Sequence, residues 1–239
     1  MDARTFMRSL FALRGYFVRI AALGAEGAPF EELERCGIDA EARMFAATGG
    51  INTHRGAIFM LGLLCAAAGA TAAGGIRLTP KWIRQALVTR WGESLKARAL
   101  RPAILPGAIA SRRHGLRGAS DEAALGFPNV FDVAIPALQG AYARGLPHRE
   151  SRLESLFHII AILEDSNLAH RGGLQGLGFA QCAARSFLER GGVAEPNWVD
   201  AAETIGREFV RRNLSPGGAA DSLAAACLLH RLSTLSFPV

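Results

Sequence analysis

No Cys-x-x-Cys pair, no close pair of histidines and no run of five like charges occurs anywhere in this sequence of 239 residues. The first two absences argue against a structural zinc site or a dithiol redox centre, because both need ligands at short spacing. Cys36, Cys65, Cys182 and Cys227 are dispersed and read as small core residues in a reducing compartment. The third absence, with no aromatic residues alternating along a basic stripe, argues against a nucleic-acid partner. β-Branched and aromatic residues are sparse beside alanine, leucine and arginine, so strands have little to form from and composition leans toward helix. His114, His148, His158 and His230 stand without visible ligand partners and read as structural or surface residues.

What the chain does have is hydrophobicity and positive charge. Half of its residues are hydrophobic, enough for one sizeable core, and a formal charge of +6 with a pI near 9.8 suits a small anionic ligand such as a nucleotide or coenzyme. Met1 to Arg14 mixes charges with apolar residues, unlike a signal or transit peptide, so a cytoplasmic location is expected. Gly56 to Gly75 is free of charge for about the length a membrane span needs. It is rich in alanine and glycine and interrupted at Gly62 and Gly69, so a buried central helix is expected and no membrane association.

Periodicity predicts a single all-α domain over residues 1–239. Phe6, Leu10, Leu13, Phe17 and Ile20 give an amphipathic helix from Ala3 to Leu23, ended by Gly24 and Gly27. Two short helices follow, Phe30 to Cys36 and Asp39 to Thr48, the second capped by Asp39. After the buried helix, Thr79 as N-cap and Pro80 in the first turn open a helix to about Leu100. Pro102 to Gly118 reads as the least regular stretch. Further helices are expected over Val130 to Arg144, His148 to Leu163, Gly173 to Arg190, Asn197 to Arg212 and Gly218 to Leu232.

Polar, glycine-flanked stretches interrupt this pattern. Gly49-Gly50-Ile51-Asn52-Thr53-His54-Arg55-Gly56 leads flexible backbone into a helix whose first N–H groups lack internal partners, with an arginine beside them. That arrangement holds a phosphate, or serves only as a helix cap. Glu164-Asp165-Ser166-Asn167 follows the apolar helix Leu156 to Leu163, whose negative end disfavours adjacent carboxylates. A bound Mg²⁺, or His170 and Arg171, would compensate, and a carboxylate there can act as a general base; the alternative is a frayed, exposed helix end. Asn213-Leu214-Ser215-Pro216-Gly217-Gly218-Ala219-Ala220-Asp221 offers a hydroxyl, two glycines and an acid, which either ligates a metal or favours the positive helix end. Gly115 to Pro128 supplies Arg117 for phosphate and Glu122 for a cation, or is a loop with a cap at Ser120. His-Arg-Gly stands at a helix mouth twice, at His54 and at His170.

In order and spacing, GGINTHRGAIF (49–59), GLRGASDEAALGFP (115–128), EDSNLAHRGG (164–173) and NLSPGGAADSLAA (213–225) resemble the triphosphoribosyl-dephospho-coenzyme A synthases over nearly the whole chain. Arg55 within NTHRG looks more like the malonate decarboxylase branch than the citrate lyase branch. The resemblance implies an all-helical transferase that uses ATP as ribosyl donor. The ribose 2′-hydroxyl of 3′-dephospho-coenzyme A attacks the anomeric carbon, adenine leaves, and the product is the prosthetic-group precursor of an acyl carrier subunit. An acyl carrier protein, or the transferase that loads it, is a possible partner. By motif, Asn52, Thr53, His54, Arg55, Gly56, Arg117, Asn167, His170, Arg171, Gly172, Gly173, Ser215, Gly217 and Gly218 become phosphate or nucleotide contacts. Glu122, Glu164, Asp165 and Asp221 become candidates for binding Mg²⁺, and Glu164, Asp165 and Asp221 for catalysis. Members of that family usually carry an N-terminal helix and a Thr-Pro-Lys-Pro-Gly-Leu-Val type segment ahead of the stretch that resembles Met1 to Phe6, so this chain is expected to lack it. Two other readings of the same residues are a weak or inactive module that binds a nucleotide or carrier protein, and a Mg²⁺-dependent ribosyl hydrolase.

Overall fold

The computed structural model describes residues 2–234, and among them it contains helices and no strands. Helix α1 (Ala3–Ala25) is capped by the Asp2 carboxylate, which accepts from Thr5 N–H. It is amphipathic as its sequence predicts, but the buried stripe is Ser9, Leu13, Tyr16, Ile20 and Gly24, while Phe6 and Leu10 are 40% and 49% exposed. The face is rotated because two non-apolar residues belong to it. Ser9 is tied to the loop before the third helix, and Gly24 marks a close approach to that helix's backbone.

Helix α2 (Phe30–Thr48) is continuous, and the expected break with an Asp39 cap does not occur. Phe30, Leu33, Cys36, Ala40 and Met44 keep one apolar face across Gly37. That burial outweighs the roughly 1 kcal/mol that glycine costs inside a helix. Helix α3 (Arg55–Ala73) is the buried central helix, packed by α1, by α2, by α4 (Pro80–Ala99) and by the final helix α11 (Gly217–Thr234). Being surrounded, it is apolar on every side. It is also the one helix among the described residues long and apolar enough to cross a membrane.

Glycine sets how closely α1 and α3 approach. A Cβ on Gly24 would lie 2.0 Å from the Ala66 carbonyl oxygen, and one on Gly69 would lie 2.0 Å from that of Ala21. One turn earlier on α3, Gly62 makes room for the Tyr16 ring, whose hydroxyl donates to the Ile58 carbonyl at 2.8 Å. Gly69→Ala is therefore expected to force the helices apart and cost about 3 kcal/mol. For a chain of this size that lowers Tm by roughly 6–12 °C in a circular-dichroism melt.

The second half begins with α5 (Pro106–His114), in the stretch read as least regular. Pro106 sits in the first turn, where its missing N–H costs nothing, and Gly115 closes the helix in the left-handed conformation. In α6 (Ala119–Ala124) the cap is Gly118 rather than Ser120, with the Asp121 carboxylate accepting from the Gly118 N–H. A π-helical segment (Asn129–Ala134) then runs into α7 (Ile135–Ala143), where one α-helix was expected. Helix α8 (His148–Ile162) packs on α9 (Ser166–Glu189), and a short 3₁₀ turn (Gly192–Ala194) and α10 (Trp198–Arg211) lead to α11. α11 touches α3 on one side and α7, α8 and the π segment on the other, joining the two halves. The thiols are free. Cys36 is buried as expected, whereas Cys182 is exposed.

Candidate active site

The site lies where the N-terminal ends of α3, α9 and α11 meet. Asp165 is the N-cap of α9, not a residue stranded at the negative end of α8, which closes at Leu163. One carboxylate oxygen accepts from Asn167 N–H at 2.8 Å and the other from Ala219 N–H at 3.1 Å, so this one side chain caps both α9 and α11. The compensation that the sequence assigned to Mg²⁺, His170 or Arg171 comes from these backbone donors. The side chain is 2% exposed, and burial raises its pKa above the usual carboxylate range while the N–H groups pull against that shift.

Asp221, in the second turn of α11, faces the same space. A Cβ built on Gly56 would come within 1.9 Å of its Oδ2, so its carboxylate rests on the first turn of α3 where only glycine fits. No hydrogen bond to that carboxylate occurs among the described residues, and burial together with the charge of Asp165 pushes its pKa up to about 7. Packing is close at Gly218, whose Cβ would sit 3.2 Å from the Asp165 carboxylate, and at Gly217, whose Cβ would sit 2.8 Å from Asn167 Nδ2. All three polar stretches therefore converge.

The loop before α3 is held from two sides. Asn52 Oδ1 accepts from Arg55 N–H at 3.1 Å, and Arg55 Nε donates to Glu41 at 2.8 Å while its guanidinium covers the Phe45 ring. His54 Nδ1 lies 2.8 Å from Ser9 Oγ and 3.1 Å from Thr53 Oγ1, and its ring meets Phe6 edge-on. Arg171 donates to the Asn213 side-chain oxygen, an uncharged partner, and so keeps its positive charge for a ligand. Gly173 breaks α9 at φ 61°, ψ −165°, so the helix expected to begin there is the second half of a kinked one. Gly172 has a packing reason: Leu214 fills the space its Cβ would take, approaching to 2.6 Å. His170 and Ser215 are exposed on the same helix mouths.

A family model described as ATP:dephospho-CoA triphosphoribosyl transferase matches residues 1–237. The chain belongs to that family. A protein of Acinetobacter calcoaceticus described as a probable 2-(5''-triphosphoribosyl)-3'-dephosphocoenzyme-A synthase is 38% identical over 232 residues, 97% of this chain and 80% of its own length. One of Vibrio cholerae serotype O1 (strain M66-2) with the same description is 36% identical over 245 residues, 98% of this chain and 78% of that one. No solved structure matches. This triphosphoribosyl transferase is thus an enzyme whose family substrates are ATP and dephospho-CoA.

The remaining carboxylates of the transferase form a neighbouring cluster. Glu164 accepts from Arg117 N–H at 3.0 Å, and the Arg117 guanidinium pairs with Glu122 at 2.8 Å. Glu122 and Glu164 are thereby held by Arg117, while Asp165 and Asp221 lie together beside it. No group of three or more histidine, cysteine or acidic side chains able to hold a metal ion occurs among the described residues, so the four acids do not form one protein-only metal centre. Sequence reasoning missed Ser9, Glu41 and Phe6. Ser9 had a signal, being a small polar residue in register with the buried stripe of α1; Glu41 and Phe6 had none, because their partners are distant in the chain.

Proposed function

We propose that this transferase joins ATP to 3′-dephospho-coenzyme A through the ribose 2′-hydroxyl, with Asp221 as general base and the mouths of α3, α9 and α11 holding the triphosphate. The observation that carries the reading is the Asp221 carboxylate, which has no hydrogen-bond donor among the described residues and lies against Gly56 and beside Asp165 where these helices begin. A base poised near neutrality is matched to removing a hydroxyl proton. The 2′-oxygen forms a bond to the anomeric carbon as the bond from that carbon to adenine breaks. The electron pair leaves with adenine and the hydroxyl proton passes to Asp221.

The guanidinium of Arg171, whose partner is uncharged, suits the phosphates, with Arg55 and Arg117 as further cationic groups on the neighbouring motifs. Negative charge from the two aspartates suits the positive character of the ribosyl centre in the transition state. Mg²⁺ fits as a companion of the triphosphate, because Asp165 is committed to backbone donors and Glu122 to Arg117; the ion arrives as part of the nucleotide substrate. Arg55 within Asn52-Thr53-His54-Arg55-Gly56 favours service to a malonate decarboxylase, the product going to its acyl carrier subunit in the cytoplasm.

The test is incubation of the chain with ATP, Mg²⁺ and 3′-dephospho-coenzyme A, followed by mass spectrometry. A triphosphoribosyl adduct and free adenine, each dependent on both substrates, are expected. Ribose triphosphate released from ATP without coenzyme would point to a hydrolase instead, and nucleotide binding without turnover would sink the catalytic assignment.

A further inference from the structure

Ser9 is a hydroxyl side chain with no access to solvent, inside a helix that otherwise buries apolar residues. Its Oγ accepts from Thr53 Oγ1 at 2.8 Å and lies 2.8 Å from His54 Nδ1. A serine hydroxyl has one proton to give. Nδ1 also lies 3.1 Å from Thr53 Oγ1, so both hydroxyls face this nitrogen, and the nearest acceptor for the proton of the fully buried Ser9 is Nδ1 at 2.8 Å. Proton positions are assigned from such networks rather than seen, and with Thr53 donating to Ser9 the assignment that gives the Ser9 proton an acceptor runs on to His54. Nδ1 is then an acceptor, and the ring's own proton sits on Nε2. Phe6, edge-on at a centroid distance of 5.1 Å, limits rotation of the ring. Burial also holds the His54 pKa below the ordinary imidazole range, consistent with a neutral ring.

We propose that Ser9 is a positioning residue: by donating to Nδ1 it fixes His54 in the tautomer that carries its proton on Nε2, so that His54 meets a phosphate oxygen of ATP as a neutral donor. The inference rests on the reading of this site as the triphosphate site. The need for such a device follows from the arrangement itself. An imidazole whose proton could sit on either nitrogen would present an acceptor to the phosphate part of the time, and two acceptors repel. Thr53 and Ser9 remove that choice, and α1 is thereby part of the active site although it carries no residue of the polar motifs.

The decisive measurement is a long-range ¹H–¹⁵N correlation spectrum of the ¹⁵N-labelled full chain, with the His54 signals assigned by their loss in His54→Asn. The Nε2–H tautomer is expected. A ring protonated on Nδ1, or on both nitrogens at pH 7.5, would overturn the proposal whatever the activity of any Ser9 variant. Ser9→Ala should raise KM for ATP roughly tenfold, leave kcat within about twofold and leave KM for dephospho-coenzyme A unchanged. Ser9→Thr, which keeps the hydroxyl, should restore most of the ATP affinity. An unchanged KM for ATP in Ser9→Ala, or a loss confined to kcat, counts against the proposal. If the wild-type chain turns over no ATP, the assignment of the reaction is what fails, and the spectrum still decides the tautomer.

Discussion

Asp221→Asn is expected to lose roughly 10²–10⁴-fold in kcat and yet, at pH 8 without nucleotide or Mg²⁺, to melt at a higher temperature than the wild-type chain. The first effect is the loss of the general base. The second follows from proton linkage. Folding raises the Asp221 pKa from 3.8 to about 7, so between those values the folded state holds a proton that the unfolded chain has released. Stability therefore falls as pH rises through this window, and above it the buried charge costs roughly 2–4 kcal/mol. Asparagine removes that cost. The Tm difference should be largest at pH 8 and should shrink toward pH 4, where aspartate is protonated folded or unfolded. Wild-type kcat/KM should rise with pH through about 7 as the base ionises. A variant that melts lower than wild type at pH 8, or that turns over normally, would remove Asp221 from this role.

Asp165→Asn should be as inactive, at least about 10²-fold down in adenine release, but with the opposite stability effect. Its two oxygens accept from N–H groups of separate helices, Asn167 on α9 and Ala219 on α11. An asparagine offers one oxygen and turns an NH₂ group toward the other donor, leaving it unsatisfied at a cost of about 1–3 kcal/mol. The mouths of α9 and α11 then lose their common cap. Since the charge of Asp165 helps raise the Asp221 pKa, residual activity in the variant should extend to lower pH than in the wild type. Melting curves and pH profiles of the two variants side by side separate a residue that accepts a substrate proton from one that assembles the place where this happens.

Much of the architecture was legible because helix signals are local. Thr79 and Pro80 open α4 as their chemistry predicts, with the Thr79 hydroxyl accepting from Trp82 N–H, and the charge-free run at α3 is central and buried. The errors share a cause: local rules yielded to packing. Gly37 reads as a break until the continuous stripe from Phe30 to Met44 is seen to need burying, and Pro106 reads as irregular until it is placed in a first turn. Within the candidate site, the motif residues around His54, Asp165 and Asp221 stand out in the sequence, since glycines beside polar groups are conspicuous, and the fold brings them together. Their division of labour was not. Nothing in Glu164-Asp165 says that one acid turns to Arg117 while the other reaches 54 residues onward to Ala219. The register of Ser9 was a signal, but its partners, more than 40 residues away, were not legible.

The bare backbone crossing of α1 and α3 carries a consequence for mutational surveys. Gly24, Gly62 and Gly69 admit no larger side chain, yet none of them touches the aspartates or the arginines of the site. A library scored on turnover alone would rank bulky replacements at these three beside changes at Asp165 and Asp221, since both kinds lower the signal. Scoring soluble protein in parallel would split them, the glycine variants falling in abundance while Asp221→Asn accumulates.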